Sequence, residues 1–502
     1  MGSVGAFVRL TAAFWRLVRA DALFPREAGE SLPPGVRGAA GILRWFAGPA
    51  ARTGRPGERL AICLESLGPV AIKLGQFLST RADIFGTAFA ADLGRLKDRL
   101  PPFATAIAEA QVERELGRPL GTLFASFADT VAAASLAQAH AATLLDGRRV
   151  AVKVLRPDIE ARVAADVACL KLAAALTETW IPKTRRLEPR AFVAVVARSL
   201  ELELDLRVEA AGADELGAVM ARDGYMRAPE VIWEGVGRRV LTLTWASGLP
   251  LSEAGALDLA GLDRPRLADN LVRAFLAQAL DHGVFHADLH EGNLFVQAPA
   301  VVTAVDFGIV GHLGPGQRRY LAEILWGFLQ RDYARVAEVH FEAGYVSRGH
   351  DSGAFAQALR GVGEPIFGRK ARDVSMGHLL TQLFEVTALF EMRLRPELVL
   401  LQKTMVTVEG VARAIDPGHD IWAAAEPVVR RWMARELSPA ARARDFAKDV
   451  GAVLAGLARV AREPPAPRTP PADQRTPMSA WIGFAWGVVA AAAVFAAAAW
   501  PR

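Results

Sequence analysis

Two cysteines, Cys63 and Cys169, are all that the 502 residues contain. They form no C-x-x-C pair and no metal-ligand spacing, so they read as reduced core thiols of a cytosolic protein. No Lys/Arg block is dense enough to make a nucleic-acid footprint, and the aromatics do not interleave with basic residues. The net charge of +5 suits an anionic lipid surface or a phosphate-bearing ligand better. The start does not read as a secretory signal either, because Arg9, Arg16 and Arg19 interrupt the first apolar run. That run reads as a basic amphipathic helix with Val4, Phe7, Val8, Trp15 and Val18 on one side, suited to a membrane surface or to packing on the domain. No repeat of fixed period is present.

Long uncharged runs are scarce, with one exception. "WIGFAWGVVAAAAVFAAAAW", Trp481 to Trp500, carries no charge. It has the roughly 20 residues that a bilayer core requires of a helix. The expectation is one membrane span within 478–502, after a basic helix and proline-rich linker over 438–477. A buried or partner-facing helix is the alternative. Arg462, Arg468 and Arg475 precede the span and only Arg502 follows, so the bulk of the chain is expected on the cytoplasmic side of the membrane.

The order of the rest predicts an α+β, two-lobed fold. Residues 1–58 are the amphipathic start and a loose Gly/Pro-rich connection. A helical extension covers 59–130, with helical pattern clearest to residue 126. A small β-containing lobe covers 131–247, and a mostly helical lobe 248–437. In "GRRVAVKVLRP" (147–157) Val150, Val152 and Val154 alternate with Ala151, Lys153 and Leu155, and Asp146-Gly147 supplies a turn. "RRVLTLTWASG" (238–248) is again strand-like. Alone, "AAASLAQAH" (132–140) reads as an incidental helix. The cleft of such a two-lobed fold is a usual ligand site.

Positive chemistry concentrates in "FHADLHEGNLFV" (285–296). His286, Asp288 and Asn293 fit H-x-D-x-x-x-x-N, and thirteen residues after Asn293 stands Asp306-Phe307-Gly308. Upstream, Val150 to Lys153 fits the V-A-I-K strand. The order and contexts are those of phosphoryl transfer by a kinase. In that chemistry a strand lysine, Lys153, would hold the α- and β-phosphates of ATP. Asn293 and Asp306 would hold Mg²⁺. Asp288 would accept the proton of an attacking hydroxyl or water. Each motif alone is weak: a D-F-G occurs by chance, and an aspartate and asparagine so close often cap a turn. "ELELDLRVEAAG" (201–212) offers Glu201, Glu203, Asp205 and Glu209 on one predicted helix, and Glu209 is assigned to Lys153. No G-x-G-x-x-G precedes Lys153 and no A-P-E follows Gly308, so an ordinary protein kinase lacks support.

Four segments together resemble the UbiB-type atypical kinases, the aarF-domain group that includes coenzyme Q regulators. They are Lys73-Leu74-Gly75-Gln76, a K-x-G-Q element; the alanine-rich Ala132-Ala133-Ala134-Ser135 with Gln138 and His140; Glu203-Leu204-Asp205 with Glu209-Ala210; and the set from His286 to Gly308. The resemblance covers roughly residues 60 to 330. It implies a protein-kinase-like fold whose helical extension folds over the active site. ATP would lie against Ala132, Ala133, Ala134, Ser135, Lys153, Thr244 and Ala246. Lys73 and Gln76 would lie where a peptide otherwise binds, facing Glu203 and Asp205. It further implies Mg-ATP as cofactor, a role in ubiquinone biosynthesis, and partners among membrane lipids, quinone precursors and the proteins of that pathway. Oligomeric state stays open, a dimer included. Departures are Leu289 and Glu291 where the family has proline, Leu206 where it has tyrosine, and the small Ala139. Competing readings are an aminoglycoside- or choline-type small-molecule kinase, a flavin-dependent polyprenylphenol hydroxylase, and a silent nucleotide- or lipid-binding scaffold.

Overall fold

The computed structural model describes residues 3–436 except 23–24, 28–33, 49–53, 80–85, 95, 97–99, 181–187, 254, 259–260, 348, 368–381, 383–385, 387–388 and 393–395. The linker and the membrane span expected over 438–502 lie outside the described residues. Among the described residues no helix is long and apolar enough to cross a membrane. The described chain forms two compact units, divided near Val208, Val231 and Leu243.

Prolines open many of the helices, where the missing N–H costs nothing. In the first unit these are α2 (Pro34–Leu43), α3 (Pro56–Leu67), α4 (Pro69–Ser79) and α8 (Pro189–Glu203). The Gly/Pro-rich stretch 33–57, expected as a loose connection, therefore contains a helix. Helix α1 (Ser3–Arg19) packs on α7 (Ile159–Trp180) through an Arg9–Asp166 ion pair, with Phe14 and Val18 buried and Trp15 41% exposed. The packed alternative for this helix holds; the side chains of Val4, Phe7 and Val8 lie outside the description.

Helices α5 (Thr87–Leu93) and α6 (Thr105–Leu116) follow, and helix then gives way to sheet earlier than expected. Strand β1 (Phe124–Ala133) starts a four-stranded sheet with β2 (Ala137–Leu144), β3 (Arg149–Leu155) and β4 (Val240–Thr244), in that order. The stretch 132–140 is thus the end of β1, a turn and the start of β2. Its residues pair across the hairpin in register, Ala132 with Ala139 and Ala133 with Gln138. Val150, Val152 and Val154 point into one core with Ala108 and Val112 of α6. The alternation of a strand then turns Ala151 and Lys153 to the other face.

The second unit takes α9 (Leu206–Asp223) from Glu209 onward, then the short β5 (Leu249–Pro250) and α10 (Arg264–Ala277). Asp263 caps α10 by accepting from Arg266 N–H at 3.1 Å, and eight residues of the helix are buried. A π-helical turn (Gln278–His282) leads to β6 (Val284–His286), β7 (Leu294–Gln297), β8 (Val301–Ala304) and β9 (Val310–His312). β6 pairs with β9, and β5-β7-β8 form a separate small sheet. Helices α11 (Pro315–Gln330), α12 (Tyr333–Glu342), α13 (Ser352–Phe367), α14 (Pro396–Ile415) and α15 (Ile421–Glu436) complete it. The α11–α13 core gathers Phe328, Tyr333, Val336 and Phe355.

Gly311 lets β9 lie flat on Phe285. A Cβ there would clash with the edge of the Phe285 ring, which is fully buried. Gly311→Ala is expected to lower stability by about 1–3 kcal/mol, the usual cost of overpacking. Urea unfolding measures it, and an unchanged midpoint would show that the β6–β9 contact is soft.

Candidate active site

In the first unit Lys153 sits on β3 directly across from Ala139 of β2. The small partner leaves room beside the lysine. The alanine turn is tied down. Ala134 N–H donates to Ala137 O at 2.8 Å, and Ser135 is buried. Arg156, just past β3, donates to Ala134 O from Nε (3.0 Å) and Nη2 (2.8 Å), and to Pro101 O from Nη1 (2.9 Å). Gln138 holds the Phe103 backbone at both ends, accepting from N–H at 2.9 Å and donating to O at 3.1 Å. His140 donates from Nδ1 to Ala128 O, so its Nε2 accepts from Gln138 Nε2 at 2.8 Å. Gln138 and His140 therefore act on the shape of the hairpin.

Arg156 was invisible as a site residue in the sequence, where it is one more arginine after a strand. Arg156→Ala is expected to weaken nucleotide binding roughly tenfold by freeing the turn, and Arg156→Lys to restore little, because a point ammonium cannot replace the planar fork. Isothermal titration with Mg-ADP decides it; wild-type affinity in the alanine variant would dismiss the role.

The K-x-G-Q element lies on α4. Lys73 Nζ pairs with Glu203 Oε2 at 2.9 Å, both side chains about 15% exposed. Gly75 gives the helix a close approach here, since a Cβ would press on the terminal methyls of Leu64, at 2.7 Å, and Leu96. Gln76 lies on the same helix, half-buried. The single helix expected over 201–212 is instead two. α8 ends at Glu203 and α9 begins at Leu206. Asp205 falls in the break and closes a two-pronged pair with Arg207, Nε to Oδ1 at 2.9 Å and Nη2 to Oδ2 at 2.7 Å. The Arg207 guanidinium holds the Asp205 carboxyl below its ordinary range. Of the two carboxylates expected to face Lys73, Glu203 does so and Asp205 turns to Arg207. The exposed Glu201 pairs with Arg198, a solvated surface contact.

In the second unit the polar loop is built on β6. His286 is fully buried. Its Nδ1 accepts from Asp288 N–H at 3.1 Å, and its Nε2 donates to Val305 O at 3.2 Å. One imidazole thereby fixes both the Asp288 backbone and the strand that delivers Asp306. Phe307 is buried with its ring 5.2 Å from that imidazole. Gln278, from the π-helical turn, accepts from His286 N–H at 3.0 Å. Asn293 is 7% exposed and donates from Nδ2 to Asp288 O at 3.0 Å, which leaves its amide oxygen as the free acceptor end. Val305 N–H donates to Asn293 O at 2.9 Å.

Asp306 is exposed and adopts φ +63, a left-handed conformation that a non-glycine residue holds at a cost and that clusters at functional sites. Gly212 of α9 allows the segment to come close: a Cβ there would meet Phe307 O at 3.2 Å and Val310 Cγ2 at 2.9 Å. An exposed carboxylate and an amide oxygen are hard donors that fit Mg²⁺, which takes one or two protein ligands and fills its shell from phosphate and water. After Gly308 the chain passes through β9 straight into α11, with no room over 309–314 for a peptide-docking platform.

Asp288 itself is flanked. Lys403 Nζ of α14 lies 3.4 Å from Oδ1, and His290 Nε2 lies 3.5 Å from Oδ2. Gly292 N–H donates to His290 Nδ1 at 3.0 Å, so the His290 proton sits on Nε2, toward Asp288. Lys403 escaped the sequence reading. Its one signal was a Gln-Lys-Thr triplet inside an apolar helical run. Glu209, on the first turn of α9, is 6% exposed. Thr244, at the end of β4, accepts from Glu230 N–H through its hydroxyl at 2.8 Å, and Ala246 is half-buried just beyond.

Burial holds the imidazoles of His286 and His340 below the ordinary value of 6.5. Below 6.5 the unfolded chain takes up these protons and the folded chain does not, so stability is complete above that value and declines as the pH falls. The slope is at most about 1.4 kcal/mol per pH unit for each group. His340→Phe, in an aromatic cluster with Tyr345 and Phe355, is expected to flatten the loss of melting temperature between pH 7.5 and 5.5. An equal loss in both proteins would rule His340 out as a source.

A sheet lysine behind a tethered turn, and an aspartate loop followed by a left-handed D-F-G, define a kinase-like protein. The comparisons agree. Residues 95–340 match the ABC1 atypical kinase-like domain and residues 359–420 the UbiB helical domain. A probable protein kinase UbiB of Marinobacter nauticus is 40% identical over 403 residues, 79% of this chain and 74% of that one. Another from Xanthomonas oryzae pv. oryzae is 41% identical over 412 residues, with the same coverage. The Mycobacterium tuberculosis protein Rv3197, solved in complex with erythromycin, aligns with TM-score 0.50 at 22% identity over 73% of this chain and 93% of that one, a likeness of fold alone. The chain belongs to the UbiB family of ABC1 atypical kinase-like proteins.

Proposed function

We propose that this chain is an Mg-ATP-dependent kinase or ATPase that supports ubiquinone biosynthesis at the membrane. The observation that carries the reading is the loop of the second unit. There a buried imidazole sets Asp288 and the approach to Asp306, and Asn293 turns its amide oxygen free. In this reading Asp306 and Asn293 hold the divalent ion, which would offset phosphate charge when bound. Lys153 and the turn from Ala132 to Ser135 receive phosphate, Thr244 and Ala246 border the base, and Glu209 keeps the role expected of it in the sequence. Asp288 takes the proton of the attacking hydroxyl or water. Lys73 with Glu203 forms a fixed polar element of the first unit. The absence of a docking platform over 309–314 supports a small acceptor, a lipid or water. A C-terminal anchor over 481–500, with the catalytic part cytoplasmic, belongs to the same proposal.

The experiment is quinone profiling of a deletion strain carrying either wild-type or Asp306→Asn protein. An early prenylated precursor accumulating only with the variant is the expected result. Normal quinone with both would remove nucleotide chemistry from the pathway role.

A further inference from the structure

Phosphoryl transfer spreads negative charge over the oxygens of the moving group, and enzymes meet it with a preorganised cation. The loop between Asp288 and Asn293 reads Leu289, His290, Glu291, Gly292, with neither lysine nor arginine. Leu289 is fully buried, and the His290 proton is turned to Asp288. The cation that does stand at this aspartate arrives from α14: Lys403, 3.4 Å from Asp288 Oδ1.

Its placement is built. The next residue, Thr404, is 1% exposed and donates to Ala287 O at 3.1 Å, the residue before Asp288. Leu401 and Val408 anchor the same helix in the core. The pair itself is open, with side chains 43% and 30% exposed. A pair so exposed adds little to stability, so folding gives no strong reason for a lysine here. Openness does allow a ligand to reach it, and the long flexible stem lets the ammonium swing.

We propose that Lys403 is a catalytic residue that contacts the transferred phosphoryl group, resting on Asp288 until a nucleotide triphosphate binds. This deepens the nucleotide reading above and rests on it. Asp288 takes the acceptor's proton as the acceptor O–P bond forms and the P–O bond to the diphosphate breaks. The electron pair of the broken bond leaves with the diphosphate, and Lys403 keeps its proton throughout. Discrimination for the third phosphate thus resides in a helix of the UbiB helical domain.

The test uses the full chain, wild type against Lys403→Met and Lys403→Arg, titrated with ADP and with a non-hydrolysable ATP analogue in the presence of Mg²⁺. Lys403→Met is expected to leave ADP affinity within about twofold and to weaken the analogue roughly 10- to 100-fold, the factor for one charge-assisted hydrogen bond. Lys403→Arg recovers part of the loss, and melting temperatures stay together. Unchanged affinity for both ligands in Lys403→Met overturns the proposal. So does an equal loss for both ligands together with a lower melting temperature, which would mark a structural lysine. Wild-type protein that binds neither ligand overturns the nucleotide reading itself, a distinct failure.

Discussion

Asp306→Asn is expected to weaken Mg-nucleotide binding by about 100-fold, the upper end of what losing even an outer partner of the ligands costs a metal site, while leaving the fold intact. The expectation has two parts. The carboxylate is exposed at φ +63 and its Oδ1 accepts from Gly308 N–H at 3.4 Å, a bond that an asparagine oxygen can also accept. Asparagine tolerates that left-handed conformation as well as aspartate does. The substitution therefore removes one negative charge with little added strain. Equilibrium titration with Mg-ATP, beside a thermal melt, separates the two parts. A variant that melts with the wild type and still binds with wild-type affinity would show that the ion is held elsewhere.

Asp288→Asn should give the opposite profile: nucleotide affinity retained, turnover reduced about 10²- to 10⁴-fold, the usual share of a general base. The loop does not depend on the Asp288 side chain. Its N–H is held by His286 Nδ1 and its C=O by Asn293 Nδ2. What disappears is the proton acceptor and the counter-charge of Lys403. Single-turnover phosphate release, measured at saturating Mg-ATP, reports the loss. Full turnover in the variant would reassign the base.

Much of this site was legible because its parts are local. His286, Asp288, Asn293 and Asp306 sit at the ends of short strands, so spacing along the chain maps onto spacing in the loop. Lys153 was legible for the same reason, from the period of two in β3. What escaped depends on distance along the chain. Lys403 meets Asp288 across 115 residues, and no local pattern records a contact of that kind. Arg156 acts on backbone carbonyls, which carry no sequence signature. The break between Glu203 and Leu206 escaped because "ELELDLR" contains neither glycine nor proline to mark it, and its apolar spacing runs on through Leu204 and Leu206, both buried. The 132–140 stretch shows the converse. Alanine favours helix in isolation, but cross-strand pairing decides, as tertiary context overrides intrinsic preference.

The direct passage from Gly308 through β9 into α11 bears on control. Residues 309–314 read Ile-Val-Gly-His-Leu-Gly and offer no hydroxyl side chain. Val310–His312 are already bonded to β6. Kinases that wait for phosphate to order a long segment at this point have a covalent brake there. Here that stretch is already paired into β9 and carries no hydroxyl side chain, so a hydroxyl-phosphorylation switch of that kind is not expected at 309–314.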